Sequence, residues 1–193
     1  RSSAPRVLLL WPGTEGAAAG NFGVPQLVGL ATYVRAKTGA VIDVIDLGCE
    51  RALGAVSLER ILGGADGQGY DVIGFSCYAS YDWLKVQALA EIARGMWPDA
   101  LICAGGYHAS ARPAEFIHDG SPFDAVVVGE GEKPLVQLVE SVRGGAPLRG
   151  VILGPDPIEN LDDELPETDW SYLDRYRGVA RRFASQAEVY LSR

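Results

Sequence analysis

The chain has 193 residues, of which 48% are hydrophobic and 22% are charged, and its formal net charge is −8. This length and composition are typical of one globular domain, with room for a small appendage. The acidic balance excludes a protein whose work depends on binding phosphate backbones or anionic lipid, because both partners need a basic field. We therefore expect no nucleic-acid partner and no membrane partner.

No apolar run reaches the ~18 residues that a membrane-spanning helix needs, and the N-terminus lacks the pattern of a secretory signal. We therefore expect a cytoplasmic protein. The three cysteines, Cys49, Cys77 and Cys103, are odd in number and widely spaced. This spacing predicts neither a disulfide framework nor a thiolate metal site, and we expect buried, apolar thiols and no metal ligands in this chain.

Short runs rich in Val, Ile and Leu recur along the first two thirds of the chain, and each is apolar on both faces. Such runs predict strands of a parallel sheet that is covered by helices on both sides. The five runs are residues 7–11, 41–45, 72–76, 101–104 and 125–128. Segments with helical periodicity follow the first, third and fifth runs. The alternation predicts a doubly wound, five-stranded parallel α/β domain over residues 1–154, flavodoxin-like or Rossmann-like, with strand order 2-1-3-4-5.

The composition changes after residue 154, where prolines alternate with acidic residues. This pattern predicts a linker over residues 155–193 rather than another strand–helix unit. Residues 189–191 form an apolar run at the very end, which predicts a strand. We therefore expect the sequence to be part of a longer protein.

In a doubly wound sheet, ligands bind beyond the carboxyl ends of the strands, and small or hydroxyl-bearing residues follow several of the predicted strands. A glycine-containing loop, residues 12–23, follows strand one. Strand three ends in hydroxyl-bearing residues, of which Ser80, like Asp82, is equally suited to cap a helix. Paired glycines follow strand four, which indicates either a tight turn or room for a bulky group. The candidate site residues are Trp11, Pro12, Gly13, Ser76, Cys77, Tyr78, Ser80, Gly105, Gly106, Tyr107, His108, Gly129, Glu130, Gly131 and Glu132.

Three other functions of this fold find little or no support in the motifs. The loop after strand one lacks the G-x-G-x-x-G spacing of a dinucleotide site, although Asp46 follows strand two where a ribose-binding acid would lie. A phosphate-binding loop after strand five is disfavoured, because the carboxylates of Glu130 and Glu132 would repel a phosphate group. A response regulator needs an aspartate at the end of strand three, where this chain has Phe75 and Ser76. A nucleotide-binding domain stays an alternative.

Several motifs in order resemble one known family. Ser76-Cys77-Tyr78 followed by Gly105-Gly106 resembles the S-x-[TL] and GG elements of cobalamin-binding domains. Residues 105–109 match the family's GGxHA, and three other stretches resemble its motifs: residues 24–31 its P-x-x-G-L helix start, residues 128–132 its VxGEGE and residues 161–176 its LDxLPxPDW. Together they resemble the N-terminal half of cobalamin-dependent radical S-adenosylmethionine enzymes.

The resemblance implies a cobalamin whose dimethylbenzimidazole tail meets Ser76 and lies in the space left by the glycines. The lower face of the corrin would lie against strand ends one and three, with Trp11, Pro12 and Tyr78 as neighbours. The loop of residues 12–23 has no histidine, so the resemblance implies base-off cobalamin without a protein imidazole on cobalt. A ligand role for His108 stays an alternative.

The resemblance also implies a C-terminal barrel outside this sequence that carries a 4Fe–4S cluster and S-adenosylmethionine. That barrel would be the partner of this domain. It would act on a small-molecule or peptide substrate by methyl transfer, radical rearrangement or cyclisation, so this chain would carry no catalytic residue. The alternative within the same family is a domain that has lost cobalamin and only docks or shields the barrel.

Overall fold

The computed structural model describes residues 4–13, 25–54, 57, 61, 69–154, 158–160 and 164–178. Most of the predicted loop after strand one and the predicted strand at 189–191 lie outside these residues. Every structural statement that follows is made of the described residues.

One parallel sheet organises the described residues. Its strands are β1 (Arg6–Trp11), β2 (Val41–Asp46), β3 (Val72–Ser76), β4 (Leu101–Gly105), β5 (Ala125–Val128) and β6 (Gly150–Leu153). Their order is β2-β1-β3-β4-β5-β6, and all neighbouring strands are parallel. The predicted order 2-1-3-4-5 and the predicted class are therefore confirmed.

The prediction of five strands was wrong, because the described part of the sheet has six. β6 is an edge strand of four residues, and alternate side chains on it are exposed. The run of residues buried on both faces that marks the other strands is therefore absent from it. The apolar run in the sequence of β6 is also shorter than the runs that predict the other strands.

Helices cover both faces of the sheet. They are α1 (Pro25–Thr38), α2 (Leu47–Ala52), α3 (Trp83–Met96), α4 (Tyr107–Ala111) and α5 (Glu132–Arg143), with short 3₁₀ helices at Ser80–Asp82, Pro113–Glu115 and Trp170–Tyr176. One apolar cluster joins α1 and α5 to alternate strand residues such as Leu9. A second joins α3 and α4 to the opposite face, which includes Leu8. None of the described helices is both long and apolar enough to cross a membrane.

The segment of residues 164–178 packs back onto the α/β domain. The Asp169 carboxylate pairs with the Arg35 guanidinium of α1 at 2.7 Å, and the Asp169 N–H donates to the Thr32 hydroxyl at 3.1 Å. Hydrogen bonding from Ser171 and Arg35 lowers the pKa of Asp169 to about 2. Part of the predicted linker thus lies against α1, while the boundary at residue 154 stays a prediction.

The close contact between the loops after β3 and β4 can be tested at Gly106. Its φ is 103°, and an added Cβ would lie 2.8 Å from the Cys77 carbonyl oxygen. We expect Gly106→Ala to lower the free energy of unfolding by about 1–3 kcal/mol, because a left-handed backbone and a close contact both oppose the methyl group. Urea denaturation measures this difference.

Gly95→Ala is the matched control. Gly95 lies in α3, is exposed, and would have nothing within 4 Å of an added Cβ. We expect this variant to be as stable as the parent or more stable, by up to about 1 kcal/mol, because alanine favours a helix. A Gly106→Ala protein as stable as the Gly95→Ala protein would contradict the observed backbone geometry.

Candidate functional site

The ends of β3, β4 and β5 meet at one edge of the sheet. Ser76, the last residue of β3, pairs with Gly105, the last residue of β4. Gly129 follows the last residue of β5 directly. Because side chains alternate along a strand, Ser76 and Gly105 share the face on which α1 and α5 pack. The prediction that these three residues lie at the carboxyl edge is confirmed.

This edge has open space beside a hydroxyl group. Among the described residues, an added Cβ at Gly105 would meet only Val127, at 3.8 Å, and one at Gly129 would meet nothing within 4 Å. The Ser76 side chain is half-buried, and its hydroxyl has no hydrogen-bond partner among the described residues. A cradle of this kind can receive a flat group and donate one hydrogen bond to it.

Gly106 makes a close backbone contact with the loop after β3. An added Cβ there would lie 2.8 Å from the Cys77 carbonyl oxygen. The Cys77 N–H donates to the Gly105 carbonyl at 2.8 Å, and the His108 N–H donates to the Cys77 carbonyl at 3.2 Å. Gly106 therefore allows the loops after β3 and β4 to touch, in keeping with the tight turn that the paired glycines also indicate, while its assignment to the ligand site stays a prediction.

Cys77 points away from the open edge, into the core on the α3 side. Burial raises the pKa of its thiol to about 12, with the carboxylates of Asp82 and Glu115 as smaller causes. The thiol therefore stays protonated near neutral pH, so it offers no thiolate as nucleophile or ligand. The Cys77 thiol thus lies on the opposite face of the sheet from the Ser76 side chain and Gly105, although the Cys77 backbone contacts Gly105.

His108 is also turned inward and joins three loops. Its Nδ1 lies 3.0 Å from the Ser80 hydroxyl, and its Nε2 lies 3.0 Å from a Glu115 carboxylate oxygen. Arg112 pairs with the same carboxylate group at 2.8 Å. Both ring nitrogens of His108 are therefore engaged, and Ser80 contacts this histidine. Asp82 occupies the N-cap position of α3 without a side-chain cap bond.

Two tyrosines form an exposed aromatic pair beyond the ends of β3 and β4. Tyr78 is 48% exposed and Tyr107 is 71% exposed. Their rings meet edge to face, with centroids 5.0 Å apart. Such a surface can pack against a flat apolar group or against another part of a protein.

The loop after β1 rests on basic side chains that the sequence analysis missed. Arg51 of α2 donates to the Pro12 carbonyl at 3.3 Å, and the Lys85 ammonium of α3 donates to the Gly13 carbonyl. Trp11 is half-buried at the end of β1. No motif links Arg51 and Lys85 to this loop, because their contacts arise from helix packing and not from sequence spacing.

Asp46 has a structural task. Its carboxylate caps α2 by accepting the N–H groups of Gly48 at 2.8 Å and Cys49 at 3.0 Å. It is also almost completely buried. A ribose hydroxyl would need these carboxylate oxygens, so the structure removes the main support for a nucleotide site.

The acidic loop after β5 holds neighbouring segments in place. The Gly129 N–H donates to the Ser110 hydroxyl at 3.1 Å, and a Glu130 carboxylate oxygen accepts the Ile158 N–H at 3.4 Å. Gly131 lies against the Leu30 side chain of α1, and Glu132 begins α5. Within the described ranges, no group of three His, Cys, Asp or Glu side chains is placed to hold a metal ion.

Comparisons with known proteins show the fold and the family of this domain. The fold is similar to that of the cobalamin-dependent S-adenosylmethionine radical enzyme OxsB, solved with aqua-cobalamin and S-adenosylmethionine bound. The TM-score is 0.63 at 16% identity, over 90% of this chain and 26% of that one. At this identity the likeness concerns the fold alone.

Three curated proteins are similar in sequence. An uncharacterized methyltransferase, PH0819 of Pyrococcus horikoshii, is 30% identical over 89% of this chain and 40% of its own length. The anaerobic magnesium-protoporphyrin IX monomethyl ester cyclase of Rubrivivax gelatinosus is 26% identical over 88% of this chain and 33% of its own. The cobalamin-dependent radical SAM methyltransferase TokK of Streptomyces tokunonensis is 30% identical over 36% of this chain and 10% of its own. The chain thus spans well under half the length of these relatives.

The family comparison covers most of the α/β domain. The model of the B12 binding domain matches residues 23–139, a range that includes the ends of β3, β4 and β5. The resemblance to the cobalamin-binding half of cobalamin-dependent radical S-adenosylmethionine enzymes is thereby confirmed for this domain. The chain belongs to the B12-binding domain family.

Proposed function

We propose that this domain holds cobalamin with its dimethylbenzimidazole tail at the carboxyl edge between β3, β4 and β5. The observation that carries this proposal is the Ser76 hydroxyl, which has no hydrogen-bond partner in the described part of the chain and lies beside the space that the described residues leave at Gly105 and Gly129. A hydroxyl can donate to a heterocycle nitrogen, and the missing side chains leave room for a flat ring. Bound cobalamin would supply the cobalt centre for methyl transfer or radical chemistry.

The corrin would then extend over the ends of β1 and β3. Trp11, Pro12 and Tyr78 would shield its lower face without coordinating cobalt. The loop of residues 12–23 has no histidine, and both ring nitrogens of His108 are engaged by Ser80 and Glu115. We therefore assign base-off cobalamin without a protein imidazole as its lower ligand.

The longer protein would carry the chemistry. Two of the relatives are named methyltransferases, and one is named a cobalamin-dependent radical SAM enzyme. We infer a radical S-adenosylmethionine barrel, with its 4Fe–4S cluster, as the partner of this domain, and methyl transfer to a small molecule or peptide as the reaction. Ring rearrangement or cyclisation is the alternative reaction class, and the name of the cyclase relative favours it.

A second candidate function is a docking domain without cobalamin. The exposed pair Tyr78 and Tyr107 favours it, because such a surface suits a protein partner as well as a corrin. The two candidate functions predict different visible absorption of the protein after exposure to cobalamin. Titration of the chain with hydroxocobalamin gives a protein that retains a strong visible absorption after gel filtration in the first case, and a colourless protein in the second.

The tail site makes a prediction about affinity. We expect Ser76→Ala to weaken cobalamin binding about tenfold, because a lost hydrogen bond in a desolvated site costs about 1–3 kcal/mol. Gly105→Val should weaken binding further, because its branched side chain fills the space for the ring. Isothermal titration calorimetry with hydroxocobalamin measures both effects.

Gly95→Val is the control for Gly105→Val. Gly95 is an exposed residue near the end of α3 and does not follow a strand, and no described residue would lie within 4 Å of its added Cβ. This variant should bind cobalamin like the parent chain. Circular dichroism confirms that each variant is folded. Unchanged affinity in folded Ser76→Ala and Gly105→Val proteins would refute the placement of the tail.

The base-off assignment makes a spectroscopic prediction. A nitrogen ligand below cobalt splits each cobalt line of cob(II)alamin into three in the electron paramagnetic resonance spectrum. We expect single lines, because the tail would lie at Ser76 and no imidazole would reach cobalt. Free cob(II)alamin at neutral pH, which binds its own tail nitrogen, is the control that shows triplets. Triplets in the protein complex would mean that the tail stays on cobalt or that a histidine binds it.

A further inference from the structure

A buried polar cluster joins the segment of residues 164–178 to the corner between β2 and α2. Tyr176 is 2% exposed, and its hydroxyl accepts the Asp46 N–H at 3.0 Å and donates to a Glu50 carboxylate oxygen at 2.8 Å. Glu50 is itself buried and pairs with Arg175 at 2.6 Å. The single phenol oxygen thus satisfies a buried N–H and a buried carboxylate at once.

The position of α2 depends on these contacts. The helix has six residues, too few to be stable without tertiary packing. Its N-terminus is capped by the Asp46 carboxylate, whose own backbone N–H is held by Tyr176. Its middle is held through Glu50. Loss of the phenol hydroxyl would leave the Asp46 N–H buried without this partner, which loosens the start of the helix.

The loop after β1 rests in turn on α2. Gly13 has a φ of 70°, and an added Cβ would collide with the backbone nitrogen of Gly48. Arg51 of the same helix donates to the Pro12 carbonyl at 3.3 Å. The end of β1 pairs with the end of β2, Trp11 opposite Asp46. A shift of α2 would therefore remove the surface against which residues 11–13 lie.

We propose that Tyr176 is a positioning residue, which fixes the loop of residues 11–13 through Asp46, Glu50 and α2. This inference rests on the proposed function in one respect, the placement of that loop under the corrin. The segment that follows the domain would then be coupled to cofactor binding. Because such coupling is reciprocal, docking of the segment would strengthen cobalamin binding, and bound cobalamin would stabilise the docked segment.

Amide hydrogen exchange on the chain without cobalamin tests the mechanical link. We expect Tyr176→Phe to speed exchange about tenfold, the effect of one lost buried hydrogen bond, in peptides that contain α2 and in the peptide that contains residues 11–13. Exchange in β4 and β5 should not change. Unchanged exchange in either of the first two regions, or faster exchange throughout the sheet, would overturn the proposal.

Tyr172→Phe is the matched control. Tyr172 lies in the same 3₁₀ helix, its hydroxyl is buried, and the Arg35 guanidinium lies over its ring at 5.3 Å. Among the described residues, no group of α2 or of residues 11–13 forms a hydrogen bond with this hydroxyl, so its removal leaves no donor or acceptor in those two regions unpaired. We expect exchange in α2 and in residues 11–13 to match that of the parent chain. Equal acceleration by both variants would show a general loosening of the segment and would overturn the specific role of Tyr176.

The binding of two corrinoids tests the second part of the proposal, that Tyr176 affects cofactor binding. Cobinamide has the corrin but lacks the dimethylbenzimidazole tail. We expect Tyr176→Phe to weaken the binding of cobalamin and of cobinamide by the same factor, about five- to tenfold for one lost buried hydrogen bond. Ser76→Ala should weaken the binding of cobalamin and leave that of cobinamide unchanged. Unchanged affinities for both corrinoids in Tyr176→Phe would overturn the inference while leaving the proposed function intact.

Failure of the proposed function has a different signature. A parent chain that binds neither corrinoid would refute cobalamin binding by this domain. Hydrogen exchange would still decide whether Tyr176 positions residues 11–13, because that measurement uses the chain without a ligand. The two results together therefore separate an error about the cofactor from an error about the positioning residue.

Discussion

The parallel pairing of β1, β3 and β4 is the constraint on which the rest of this structure depends. Ser76 lies opposite Gly105 in the register of the sheet, and Trp11 lies opposite Asp46. Because all strands run in one direction, every loop that follows a strand emerges at the same edge. A shift of one residue in the β3–β4 pairing would turn the Ser76 hydroxyl to the opposite face and separate it from the space at Gly105.

The same edge is held together by contacts between loops. His108 joins Ser80 to Glu115, and Gly106 lets the loop after β4 touch the Cys77 carbonyl. Arg51 holds the loop after β1. The arrangement resembles other ligand sites, in which a small number of open positions is supported by polar groups that are already satisfied.

The strand order and the residues at the ligand edge could be predicted from the sequence, because apolar runs and glycines are local signals. Other features depend on contacts between residues far apart in the chain. The inward turn of His108 requires Glu115 and Ser80 at the right distance, and the cap formed by Asp46 looks in sequence like a ribose-binding acid. β6 was missed because half of its short length is exposed. The docking of Tyr176, 126 residues after Glu50, has no sequence signature at all.

We propose that the cobalamin tail lies at the edge between β3, β4 and β5. A crystal structure of the chain with hydroxocobalamin would show where the tail lies. We expect electron density for dimethylbenzimidazole beside Gly105 and Gly129, with a ring nitrogen within hydrogen-bond distance of the Ser76 hydroxyl. Density for the tail on cobalt, or at any other edge of the sheet, would contradict it.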